Sequence, residues 1–359
     1  MEYIFLEKES KIYDFILFPQ AIYFTRELEK IDKKNDNYID VVPESLKNLY
    51  LEIEEKLMPY SEEIESLYFS DFNIWDLISK NFSIVHYSSY NSFFSMLKNL
   101  ENDELKKILF LSLYSIRETK DFNKVSISDI QFLLDNDLSH FDFINSLSID
   151  NSDKWKITNI IRNPAKTIDN WINLLEKLKD LFNYYYKQSK PRIISYGNSL
   201  VERLNKHNGE NLSSITCGIL DKSVLPSGNI CISFINQCNI SLFNLKNNSY
   251  STFGLEVENM LNLALKAEEG HLAELITTFK NLGDTTRYKV LKNISNGITS
   301  TKDIANSLGV SSATVSYHIN QLNTSKILKL ERVNGKYINS VNIEWINNCI
   351  SKLKNDLKL

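Results

Sequence analysis

The chain has 359 residues, 43% hydrophobic and 24% charged, an ordinary globular balance with room for two or three domains. Its net charge of −4 hides a division: residues 271–359 hold ten Lys and two Arg against six acidic residues, a net of +6, while residues 1–270 carry −10. The basic quarter suits a polyanion, with chance clustering as the plain alternative, and the acidic remainder does not.

Taken from the N-terminus, Met1-Glu2-Tyr3-Ile4 lacks the basic start and apolar run of a signal peptide. Residues 1–25 read as strand-like or mixed, carried by Tyr3-Ile4-Phe5-Leu6 and Ile16-Leu17-Phe18, and the polar run at residues 32–37 reads as an exposed turn. From Pro43 to about residue 120 the pattern is mostly helical, with Leu46, Leu49, Tyr50, Ile53 and Leu57 recurring at spacings of three and four. Residues 102–116 form another helix, and Ser126-Ile127-Ser128-Asp129 opens a short one. A long amphipathic helix runs from Asn170 to about Gln188, with Trp171, Leu174, Leu175, Leu178, Leu181 and Phe182 on its buried side. It is expected to end near Lys190-Pro191, because proline lacks the N–H that a helix interior needs. Tyr184-Tyr185-Tyr186, near its end, read as core packing, with a ligand pocket or dimer seam as the sharper alternative. After residue 212 come three β-rich runs, at 215–219, 230–234 and 240–245, separated by turn chemistry at 226–229 and 247–249. They predict a small antiparallel sheet. Residues 255–268 read as a helix entering the basic quarter without a Pro- or Gly-rich linker.

The most informative stretch follows. Gly283 is suited to ending one helix in the left-handed conformation, and Asp284 to capping the next, whose apolar face is Val290, Leu291 and Ile294. Ser300-Thr301-Lys302-Asp303 starts a short helix through Ile304, Ala305 and Leu308 that stops at Gly309. Ser311 caps a further helix over 312–322, which points Val315, Ile319 and Leu322 inward. Ser312, Ala313, Thr314, Ser316, Tyr317 and Asn320 are left on the outside or the rim, and such hydroxyl and amide groups suit base edges in a major groove. His318 has two readings, a DNA contact or a helix-packing residue. Residues 327–333 and 336–341 form strands about the hairpin turn Asn334-Gly335, with Arg332 and Lys336 at the tip as phosphate partners. Helix, helix, turn, helix and basic hairpin make a winged helix-turn-helix.

The run Leu282-Gly283-Asp284-Thr285-Thr286-Arg287, with residues 308–319, is similar to the ArsR family of bacterial winged-helix regulators, over about residues 268–345. The resemblance implies a homodimeric repressor on near-palindromic double-stranded DNA. Its contacts would come from Ser312, Ala313, Thr314, Ser316, Tyr317 and Asn320, from His318 on its sharper reading, and from Arg332 and Lys336 on the wing. Three departures stand out. The helix at 301–308 has no Cys-x-Cys pair, the last helix offers Glu344, Cys349 and Asp356 but no histidine, and Lys326 stands where the family usually has glycine. No metal site of those two kinds is therefore expected.

The fold class is α+β: a mainly helical N-terminal domain with a small antiparallel sheet over residues 1–265, then the winged helix-turn-helix over 266–359. No stretch reaches the roughly eighteen apolar residues of a transmembrane helix. The cysteines Cys217, Cys231, Cys238 and Cys349 follow no zinc spacing and read as reduced thiols of a cytoplasmic protein, a redox or metal sensor being the sharper alternative. His86, His140 and His207 are scattered without ligand spacing. No phosphate-binding, dinucleotide, zinc-protease or nucleophile-elbow motif is present, so neither catalytic residues nor a cofactor is expected. The N-terminal domain is expected to bind an unidentified small-molecule effector or to form the dimer. The rival readings are an enzyme with an appended winged helix, and a protein-interaction module without DNA affinity.

Overall fold

A computed structural model describes residues 1–25, 42–69, 73–118, 125–136, 138–245, 247–266, 271–333 and 335–358. The turn expected at residues 32–37 lies outside them. The chain forms two compact units, Met1–Asn205 with Pro226–Met260, and Lys206–Leu225 with Leu261–Leu359.

The first unit begins with β1 (Ile4–Phe5) and α1 (Glu7–Leu17), followed by a 3-10 turn at Phe18–Tyr23. Helices follow: α2 (Glu44–Leu57), α3 (Ser61–Glu65), α4 (Ile74–Ile78), α5 (Tyr90–Lys98), α6 (Asn102–Glu118), α7 (Ile127–Asp135), α8 (Leu138–Asn145), α9 (Asn151–Arg162) and α10 (Pro164–Lys206). Its remaining strands are β2 (Asn229–Ser233), β3 (Ile240–Phe243) and β4 (Tyr250–Gly254), and α12 (Val257–Lys266) leads out of it. In the second unit, α11 (Leu212–Ile215) precedes α13 (His271–Gly283), α14 (Thr285–Ser295), α15 (Thr301–Leu308), α16 (Ser312–Thr324), β5 (Leu328–Val333), β6 (Lys336–Val341) and α17 (Ile343–Asp356).

The strand-like reading of residues 16–18 gives way to helix. The buried run Ile12, Tyr13, Phe15, Ile16 and Leu17 is packed almost all round, so its periodicity does not distinguish helix from strand. Glu7 and Glu9 in the first turn favour the helix. Two α1 side chains then continue a job that β1 begins. Leu6 N donates to Ile230 O at 2.8 Å. One helical turn on, Ser10 Oγ accepts from Ile232 N at 2.9 Å, and one turn further Asp14 Oδ2 accepts from Phe234 N at 3.1 Å. The i, i+4 spacing of the helix thus matches every second residue along β2 and just past its end, and the N–H groups of Ile232 and Phe234 are satisfied where β1 stops.

The sheet runs in the order β1-β2-β4-β3. It is mixed: β1 and β4 flank β2 in parallel, and β3 pairs antiparallel with β4 alone. Residues 215–219 do not join it. They leave α11 through a turn with Cys217 at φ 53° and Gly218 at φ 82°, a left-handed pair that bars an extended strand. Gly218 N closes this turn on Ser213 O at 2.7 Å.

Helix α10 does not stop at Pro191 but continues to Lys206. An interior proline costs about 3 kcal/mol. Beyond it the same face buries Ile193, Leu200 and Leu204 completely, each contributing about 1.5–3 kcal/mol. Burial on the far side therefore outweighs the broken rung. Tyr185 and Tyr186 join this core while Tyr184 is exposed.

The second unit has its own core of Val290, Leu291, Ile294, Ile304, Ala305, Val315, Ile319, Leu322, Ile327 and Leu328. β5 and β6 pair antiparallel from Leu328↔Val341 to Val333↔Lys336. The segment before β2 packs on this hairpin: Leu220 bridges to Leu330 in parallel, and Tyr337 Oη donates to Val224 O at 2.7 Å. Among the described residues no helix is long and apolar enough to cross a membrane.

Candidate nucleic-acid interface

Three helices of the C-terminal unit, α14, α15 and α16, are each started by a side chain of the expected type. Asp284 Oδ1 accepts from Arg287 N at 2.8 Å, Ser300 Oγ from Asp303 N at 3.3 Å, and Ser311 Oγ from Thr314 N at 3.0 Å. The Arg287 N–H, reinforced by its guanidinium, holds the Asp284 carboxyl below the usual carboxylate range. The Arg287 side chain also reaches Asn281 and so ties α14 to α13. Gly283 ends α13 without a left-handed φ, unlike the expectation. Gly309 does take one, at 67°, and this sets the tight turn between α15 and α16 that only glycine adopts without strain.

α16 turns Val315, Ile319 and Leu322 into the core and leaves Ser312, Ala313, Ser316, Tyr317 and Asn320 exposed. Tyr317 is 54% exposed. Thr314 is half-buried, and its Oγ1 lies 2.8 Å from Ser311 Oγ, so its hydroxyl is shared with the cap. His318 departs from the other candidates. It is buried, its ring meets that of Tyr317 edge-on at 5.5 Å, and its Nδ1 has no hydrogen-bond partner among the described residues. The packing reading of His318 accounts for this placement. The rest of the face is uncharged and offers hydroxyl, amide and phenol groups, the set that exchanges hydrogen bonds with base edges.

The wing supplies charge. Lys336 is exposed next to Gly335, whose φ of 77° makes the turn. Asn334, the other expected turn residue, lies outside the described residues. Arg332 is half-buried, with its guanidinium 5.8 Å from the centre of the Tyr337 ring. Lys329, 2.7 Å from Glu331, holds that carboxyl below its usual range, so the acid on the wing is matched.

Two positioning contacts were not read from the sequence. Asn323 Nδ2 donates to Asn339 Oδ1 at 2.9 Å and fastens α16 to β6. Lys326, which follows the C-cap Ser325 of α16, has φ 59°. It adopts the left-handed backbone that glycine would provide, its Nζ pairs with Glu274 at 2.6 Å, and it stands 4.6 Å from the centre of the Trp345 ring. The sequence signal was the departure from the family glycine, which showed the place but not the compensation. Among the described residues no group of three His, Cys, Asp or Glu side chains is placed to hold a metal ion.

Residues 284–329 match the family model described as bacterial regulatory protein, arsR family. Neither a curated protein nor a solved structure matches the chain. The matched segment spans the first helix of the motif, the turn at Gly309, all of α16 and the start of the wing. The C-terminal unit therefore carries an ArsR-type helix-turn-helix, the DNA-binding part of a class of bacterial transcription regulators.

Proposed function

We propose that the protein is a dimeric transcription repressor that reads an operator with α16 and is controlled through its N-terminal residues. The observation that carries this reading is the exposed, uncharged face of Ser312, Ala313, Ser316, Tyr317 and Asn320 beside a wing with Arg332 and Lys336. Base-edge contacts from the helix supply specificity, and wing cations supply sequence-independent affinity. Thr314 contributes through the capped start of the helix, where N–H groups face a phosphate.

Dimerisation is supported by apolar side chains left exposed on the terminal helices of the second unit. These are Ile276 on α13, 56% exposed, and Ile343 and Ile350 on α17, 67% and 39% exposed. A two-fold dimer covers such surface and places two copies of α16 about one DNA turn apart, roughly 34 Å. Absence of the family's two usual metal-ligand patterns leaves the N-terminal region as the receiver of the signal. An effector acts there by favouring one of two arrangements of the paired recognition helices. Footprinting on DNA upstream of the protein's own gene, with sedimentation of the complex, tests the reading. A two-fold footprint bound by two chains supports it. A protein that sediments as a monomer on DNA, or protects no site, refutes it.

A further inference from the structure

The first unit contains a cleft of about 570 Å³ bordered by Lys80, Asn81, Phe82, Leu111, Leu245 and Asn248. Phe82, Leu111 and Leu245 are half-buried there, giving it apolar walls. Lys80 is half-buried too, and no described side chain pairs with its ammonium or hydrogen-bonds to it. Burial pulls this ammonium below the usual lysine range, opposed only by the charge of Asp76. The Asp76 carboxylate is itself occupied, accepting from Asn73 N at 2.8 Å.

The rim of the cleft is built with some strain. His86 has φ 79°, a backbone conformation that costs a residue with a side chain. It is held there by its neighbours: His86 Nε2 lies 3.1 Å from Asn248 Oδ1, and Ser83 Oγ donates to Asn248 O at 2.6 Å. The loop bearing Lys80 is thereby stitched to the turn after β3. Strained backbone that surrounding contacts over-determine is a recurrent feature of ligand clamps.

We infer that this cleft binds a small molecule with an apolar body and one carboxylate, the carboxylate on Lys80 and the body against Phe82, Leu111 and Leu245. One ammonium among neutral amides matches a single negative charge. A phosphate dianion calls for a second cation; among the described residues bordering the cleft Lys80 is the one Lys or Arg, and Glu9, whose Oε1 is 3.3 Å from His86 N, adds a negative charge at the rim. The cleft combines apolar walls with polar side chains, Lys80, Asn81 and Asn248 among them, that would fix the orientation of such a molecule. Its effect on DNA rests on the regulator reading above; its binding does not.

Isothermal titration of the full chain with benzoate, phenylacetate and hexanoate, and with the three corresponding uncharged amides, tests the site without any DNA. The outcome is thus independent of whether the winged helix binds an operator. At least one carboxylate is expected to bind saturably and roughly tenfold or more tighter than its amide. Lys80→Met is expected to remove that preference, Lys80→Arg to keep it, and Asn247→Trp, on the exposed rim, to block both compounds. Comparing acid and amide on the unmodified chain keeps the test valid if Lys80→Met does not fold. No saturable binding by any carboxylate up to about 10 mM, equal binding of acid and amide, or an unchanged preference in a folded Lys80→Met chain overturns the inference.

Discussion

Replacing Lys326 with glycine and, separately, with alanine sets two opposing effects against each other. Its φ of 59° costs a residue with a Cβ about 1 kcal/mol relative to glycine. Against this stands the contact with Glu274 at 2.6 Å, in which the two side chains are only 17% and 15% exposed. A charge-assisted hydrogen bond of this kind contributes about 1.5–3 kcal/mol, and the ammonium over Trp345 about 0.5–1 kcal/mol. Lys326→Gly loses the contacts and relieves the backbone, for a net destabilisation of about 1–3 kcal/mol. Lys326→Ala loses the contacts and keeps the strain, about 2–4 kcal/mol. The expected order of stability is lysine, glycine, alanine. Urea titration read by hydrogen exchange of peptides from α13 and α17 reports on this unit alone, which matters because a chain of two units need not unfold in one step. A glycine variant as stable as the wild type refutes the clasp, and equal glycine and alanine variants refute the backbone argument.

Two further substitutions test other parts of the account. Gly309→Ala puts a Cβ on a residue at φ 67° and is expected to cost about 1 kcal/mol, seen as faster exchange in peptides from α15 and α16; unchanged exchange contradicts it. Asp14 is buried, and this raises its carboxyl to about 7 against hydrogen bonds from Ser233, Phe234 and Ile235 that favour the charged form. Its folded pKa lies above its unfolded one, so between about pH 4 and 7 the folded chain holds a proton that the unfolded chain has lost. Stability of the first unit therefore falls across that window as pH rises, by up to about 4 kcal/mol. Asp14→Asn removes this titration and flattens the profile, as urea unfolding followed between pH 4 and 8 will show; parallel profiles for the two proteins contradict the assignment.

The winged helix was legible because its signals are local. Caps, a helix-stopping glycine and an apolar face at spacings of three and four lie within one short segment, and Asp284, Ser300, Ser311, Gly309, Val315 and Leu322 all carry the roles their types suggested, while the left-handed conformation expected at Gly283 is absent there. The N-terminal unit was less legible because its elements depend on partners far along the chain. Tyr250–Gly254 is a buried strand with a short polar-looking sequence, made a strand by pairing with β2 and β3 on both sides. The β2 ladder is completed by Ser10 and Asp14, more than two hundred residues away in sequence. Pro191 is a local stop signal, and burial of Ile193, Leu200 and Leu204 beyond it prevails over that signal. His318 has the right position for a base contact, and only the packing around α16 shows it buried.

Fluorescence anisotropy of the full chain on DNA from upstream of its gene and on an unrelated duplex, across a salt series, tests the central claim most directly. The wild type is to be compared with Ser316→Ala/Tyr317→Ala and with Lys336→Ala. The account predicts a preference for the upstream duplex that the α16 variant reduces by roughly tenfold or more without changing the salt slope. Lys336→Ala is predicted to weaken binding to both duplexes alike and to reduce the slope by about one. A preference that survives in the α16 variant, or no binding to either duplex at low salt, contradicts the claim that this helix reads DNA.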